Sequence, residues 1–162
     1  MVINYMTRSI IFLGLLISVL SGCANVDTTS FTESNEAKRF DQPSEGKSGV
    51  YVYREDTIFG AAFKKDVYIN GKCLGETAKG VFFYEEVEGD TEHKVSTETE
   101  FSPNDVVVYL KSGYNYFFEQ YMKLGVFVAG AGIEKVDSEK GMMKVSELKL
   151  AESGHCGSNY PN

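Results

Sequence analysis

Val67-Tyr68-Ile69-Asn70-Gly71-Lys72-Cys73-Leu74 decides the fold class. Two short runs flank Asn-Gly, the pair best suited to a type I′ turn, because both central residues of that turn need positive φ. The stretch therefore reads as a β-hairpin. Placing Asn70 and Gly71 in the turn sets Tyr68 opposite Cys73 and Val67 opposite Leu74, and the two pairs point to opposite faces of the ribbon.

Working outward, the same strand signals recur at short intervals. Val50-Tyr51-Val52-Tyr53 is β-branched and aromatic, and Val81 to Val87, after Gly80, is a further strand closed by Gly89-Asp90. Thr91 to Glu100 alternates, with His93, Val95, Thr97 and Thr99 on an inward face and Lys94, Ser96, Glu98 and Glu100 on a wet one. After the turn Ser102-Pro103-Asn104, Val106 to Leu110 is apolar on both faces and reads as a central strand. Ser112-Gly113 then turns the chain into a long aromatic strand, Tyr114 to Lys123. Asp137 is placed to cap a short helix carrying Met142, Val145 and Leu148, which Gly141 weakens. Short strands separated by turn residues predict an all-β fold, a small antiparallel β-sandwich with one short C-terminal helix over residues 49–152.

The N-terminal segment carries a different signal. Arg8 precedes an apolar run from Ile10 to Leu20, too short for a comfortable membrane span. Leu20-Ser21-Gly22-Cys23 follows, and this resembles the lipobox of bacterial lipoproteins. The resemblance implies that residues 1–22 are a signal peptide and that the Cys23 thiol carries acyl chains at the start of the mature protein. The competing reading is an ordinary signal peptide with a chance cysteine. Residues 23–48 are polar, with Pro43 and Gly46, and show no apolar period. They read as a disordered tether that holds the domain away from the bilayer. Ala24 stands where an aspartate retains enterobacterial lipoproteins in the inner membrane, which points to the outer membrane.

Of the three cysteines, Cys73 and Cys156 remain for an oxidising compartment and read as a disulfide that staples the polar tail, residues 153–162, to the domain. A metal pair would need further ligands, and only His93 and His155 are at hand. The formal net charge is −7 over 162 residues, with no basic stripe, which argues against a nucleic-acid partner. It also argues against electrostatic docking on anionic lipid, leaving acyl chains to attach the protein.

Val52-Tyr53-Arg54, Gly60-Ala61-Ala62, Val67 to Lys72, Leu74-Gly75, Phe82-Phe83-Tyr84, His93 and Gly113-Tyr114-Asn115-Tyr116 carry a second resemblance. With Gly125, Gly141 and Glu147-Leu148, they resemble DUF2846, a family of bacterial lipoproteins of unknown function. The hairpin is similar to the PEGA domain, a small β-sandwich of envelope proteins with a transthyretin-like layout. Gly89-Asp90-Thr91-Glu92 departs from the Pro-Gly turn that the related domains place before the histidine. The resemblance implies a lipoprotein β-domain and brings with it no catalytic residue and no cofactor.

The residues themselves offer little for catalysis. His93 could serve as a base or ligand, or as a structural histidine bonded to a turn carbonyl, and no companion ligand set accompanies it. Glu98 and Glu100 share a face, but the wet one, where a glycosidase pair has no cleft. No nucleophile elbow surrounds Ser96 or Ser102, and Gly130-Ala131-Gly132 lacks the residues of a phosphate loop. Two apolar loops stand out: Ile58 to Phe63, with Phe59 and Phe63, and Leu124 to Ile133, with Phe127. Exposed, they would form a patch for an envelope protein or the membrane surface; folded back, they would plug the sandwich end. The expected function is a non-catalytic interaction module of the cell envelope, with no metal or cofactor. A small-ligand or glycan binder with exposed tyrosines is the alternative, and a hydrolase a further one.

Overall fold

In the computed structural model, residues 23–98, 104–123 and 130–157 are described. Among the described residues, two helices, α1 (Phe31–Ala37) and α2 (Ser138–Ser146), accompany β1 (Lys47–Arg54), β2 (Lys65–Ile69), β3 (Lys72–Thr77), β4 (Val81–Glu88), β5 (Thr91–Thr97), β6 (Asn104–Leu110), β7 (Asn115–Lys123), β8 (Gly130–Val136) and β9 (Lys149–Leu150). The strands form two sheets, β8-β7-β1-β4-β9 and β3-β2-β5-β6, packed as the expected sandwich.

The alternation of β1 explains why the five-stranded sheet is covered on both faces. Val50 and Val52 join Phe83, Phe118, Val67 and Val95 in the core between the sheets. Tyr51 and Tyr53 point the other way and pack with Phe82, Phe117, Val145 and Leu148 under the helices. With successive side chains on opposite faces, one strand thus feeds two apolar layers, and β1 is buried along its length apart from Lys47.

The structure refines several sequence expectations. The hairpin turn is as read: Asn70 and Gly71 have φ of 52° and 76°. Tyr68 faces Cys73, but Val67 faces Gly75, because a bulge falls between Val67 and Tyr68. Leu74 is the extra residue, left without a partner across the ladder, and its side chain lies in the core. The sandwich is not wholly antiparallel: β1 pairs with β7, and β4 with β9, in parallel. β6 lies at a sheet edge, not the centre, and Val107 and Tyr109 are exposed. Ser96, expected on a wet face, is buried beside Tyr68, its partner across the β2–β5 pairing.

The largest correction concerns the expected tether. Residues 24–46 are a strap bound to the domain, and α1 is a second helix that the sequence reading lacked. Ser30 and Glu33 form a complete capping box at its start, which satisfies donors that a helix otherwise leaves open. Thr28 bridges Ala151, the Thr29 amide donates to the Leu150 carbonyl at 2.9 Å, and the Glu152 amide donates to Asp27 at 3.0 Å. Composition alone undercounted this segment, because Val26, Ala37 and Phe40 pack against the cores, although Phe31 stays exposed.

Candidate functional site

The chain leaves β1 at Arg54 and enters β2 at Lys65, and between them the loop turns tightly at Gly60. Gly60 has φ of 76°, and a Cβ there would stand 2.3 Å from Met122 Cγ, so both backbone and packing call for glycine. Arg54, almost fully buried, holds the loop from beneath. Its Nη1 donates to the Phe63 carbonyl at 2.8 Å and its Nη2 to the Gly60 carbonyl. Burial lowers the Arg54 pKa, yet a guanidinium stays charged in a protein. Carbonyl dipoles meet that charge, and the loop backbone is fixed as a result.

With its carbonyls drawn inward, the loop presents apolar side chains to solvent. Ile58 is 94% exposed, Phe59 50% and Phe63 41%. Of the two outcomes the sequence left open, this loop takes the exposed one. Phe127 and the rest of residues 124–129 lie outside the described residues, while Gly130 to Ile133 opens β8, with Ala131 and Ile133 in the core.

The first described residues meet the same loop. The Ala24 amide donates to the Ala61 carbonyl at 2.9 Å, and Cys23 is exposed with a free thiol. Lys79 pairs with Asp56 at 2.9 Å and Lys64 with Glu76 at 3.1 Å, so the cations around this end stand beside acids. Residues 1–22, the expected signal peptide, lie outside the described residues.

The other singled-out residues have structural partners. Cys73 and Cys156 form the expected disulfide, with Cα atoms 6.1 Å apart. The tail it holds also donates Gly154 N to Leu74 O at 2.8 Å and Gly157 N to Asp66 Oδ1 at 3.1 Å. His93 is buried at the far end of the sandwich. Its Nδ1 lies 2.9 Å from Asn70 Nδ2 and its Nε2 2.8 Å from the Glu88 carbonyl. An amide donor at Nδ1 requires the proton on Nε2, so the ring clips the hairpin turn to the β4–β5 turn with both nitrogens. His93→Ala removes both bonds, and an expected loss of about 1–3 kcal/mol would be read as a lower urea midpoint.

Glu98 pairs with Lys65, Glu88 with Lys47, and Glu119 with Lys140. Glu119 also accepts from the Tyr53 hydroxyl at 3.1 Å. Glu86 accepts the Ser44 amide at 3.1 Å; its bonds to Ser44 and Tyr84, against burial, hold its carboxyl below the usual range. Tyr116, on the long aromatic strand, is half-buried and its hydroxyl oxygen accepts the Lys111 amide at 2.9 Å. Among the described residues, no group of three or more His, Cys, Asp or Glu is placed to hold a metal ion.

Sequence reasoning missed two features. Arg54 entered only among the residues that carry the family resemblance, with no role of its own. Gln120, buried between the sheets, donates to Thr97 Oγ1 at 2.6 Å and accepts from the Thr77 hydroxyl. Its period-two spacing from the core residue Phe118 was the available signal.

A family model described as a protein of unknown function, DUF2846, matches residues 44–131, from just before β1 into the start of β8. An uncharacterized protein of Haemophilus influenzae is 50% identical over 145 residues, covering 90% of this chain and 83% of that protein. No solved structure matches.

Proposed function

The chain belongs to the DUF2846 family of unknown function, and from that premise and its own residues we propose an acylated lipoprotein of the bacterial envelope whose β-domain binds and does not catalyse. The observation that carries this reading is the division of the cysteines. Cys73 and Cys156 are joined, and Cys23, directly after Leu20-Ser21-Gly22, is exposed and free. A structural disulfide fits an exported protein, and a free thiol after a lipobox-like stretch is where a diacylglyceryl group would attach. Ala24 in place of aspartate favours the outer membrane.

Binding in place of catalysis is supported by the fate of the reactive groups. His93 is enclosed with both nitrogens bonded, and the carboxylates Glu88, Glu98 and Glu119 stand in ion pairs. The loop end with Ile58, Phe59 and Phe63 exposed remains available, and an exposed apolar patch of this kind suits an envelope component as partner.

The test is metabolic labelling with palmitate in the native envelope. The parent chain is expected to take up label and to stay with membranes in high salt. Cys23→Ser is expected to take up none. A parent chain free of label overturns the proposal.

A further inference from the structure

We infer that the Ile58–Phe63 loop is a second membrane contact, seated in the lipid interface beside the acyl chains, so that the domain stands on the bilayer on its loop end. The inference rests on acylation of Cys23 as set out above, and it names the bilayer as the partner of the same apolar end.

Three observations lead to the bilayer in preference to a protein. The first is distance. Ala24 N lies 2.9 Å from Ala61 O, and consecutive Cα atoms are about 3.8 Å apart. An acyl group on Cys23 therefore leaves the chain within one residue of the loop, and a thioether in the headgroup layer brings Ala61 there with it. The second is the missing leash. Residues 27–29 are bonded to 150–152, and α1 is packed against the domain, so no slack chain exists to lift the loop away from lipid. The third is chemistry. Ile58-Phe59-Gly60-Ala61-Ala62-Phe63 carries no charge; Ile58, Phe59 and Phe63 are exposed; and the carbonyls of Gly60 and Phe63 are already bonded to Arg54. Apolar side chains offered outward over satisfied carbonyls are what a lipid interface accepts, since an unbonded backbone group is costly there.

The geometry also orients the domain. The loop follows the last residue of β1, whereas Tyr114 is bonded near its first turn, its carbonyl accepting from Gly49 at 3.0 Å. At about 3.3 Å per residue, the strand carries Tyr114 and the His93 clip well clear of the membrane.

The chain contains no tryptophan, which makes a single one a clean probe. Full-length acylated Phe59→Trp, Ile58→Trp and Tyr114→Trp proteins are reconstituted in phosphatidylethanolamine–phosphatidylglycerol vesicles, with and without brominated acyl chains. Palmitate uptake is measured on the same samples. The tryptophans at positions 58 and 59 are expected to emit at shorter wavelength and to lose most of their emission to bromine, while the one at 114 keeps its own. Labelled, vesicle-bound protein in which the loop probes are quenched no more than the one at 114 overturns the membrane contact and leaves the anchor standing, with a protein partner as the occupant. Absence of label overturns the anchor, and the contact that rests on it falls too.

Discussion

Replacing Cys73 and Cys156 together by serine is expected to lower the free energy of unfolding by about 4 kcal/mol. The bond spans 83 positions, and a cross-link over that length removes many conformations from the unfolded chain. A domain of this size holds about 5–15 kcal/mol in all, so the loss decides whether the protein survives warming. The folded state loses something as well. Without its staple, the tail no longer holds Gly154 against Leu74 or Gly157 against the buried Asp66 carboxylate. Urea unfolding separates the two contributions. A more expanded unfolded chain raises the slope of free energy against denaturant, whereas fraying of the tail alone lowers the midpoint at constant slope. Reducing the parent with dithiothreitol should reproduce the double variant. An unchanged midpoint after complete reduction would show that the tail is seated without the bond.

How far the fold could be read from the sequence depended on whether a signal was local. The Asn70-Gly71 turn is local, and both residues take the positive φ that the pair announces. The bulge beside it was half visible. Gly75 lies in the path of the Phe83 ring, which would stand 2.5 Å from a Cβ, and a glycine inside a strand marks such an approach. Gly141 was read as a weakness of α2 for the same lack of tertiary context; a Cβ there would meet Phe117 Cγ at 2.2 Å, so glycine is what allows the helix to lie on the sheet. The parallel pairing of β1 with β7 joins residues more than sixty positions apart, and no periodicity encodes it. Val106 to Leu110 shows the limit of pattern reading. An apolar strand implies a central place, yet β6 ends its sheet, because two-faced hydrophobicity does not report which neighbours are present. At the candidate site, the cysteine pairing and the apolar run Ile58 to Phe63 were legible. That Ala24 docks on Ala61 was not, because it follows from strap contacts that composition hides.

The strap is also where a second large effect is expected. Tyr51→Ala should cost about 3–5 kcal/mol, the usual range for truncating a buried aromatic ring. The Tyr51 ring stacks on Phe117 with centroids 4.8 Å apart, meets Tyr84 at 4.6 Å and Phe40 at 5.4 Å, and its hydroxyl donates to the Ala37 carbonyl at 2.9 Å. Burial first, then the negative charge that Tyr84, Asp41 and Glu86 can place nearby, pushes the Tyr51 pKa upward, so the hydroxyl keeps its proton at neutral pH and remains a donor. Two elements that composition assigned to a free leash, α1 and Phe40, are thus held by one side chain of the central strand. Tyr51→Phe isolates the hydroxyl. It leaves the ring in place, removes one bond, and should cost about 1 kcal/mol. Hydrogen exchange distinguishes the outcomes by location. In the parent, the amides of Ser34 and Lys38, bonded to Ser30 and Ser34, should be protected. In Tyr51→Phe they should exchange faster while β1 and β4 amides keep their rates, because local opening of a strap needs less free energy than global unfolding. In Tyr51→Ala, protection should fall in both places. Unprotected Ser34 and Lys38 amides in the parent would return residues 24–46 to the status of a tether, and the short reach from Cys23 to the apolar loop would no longer hold.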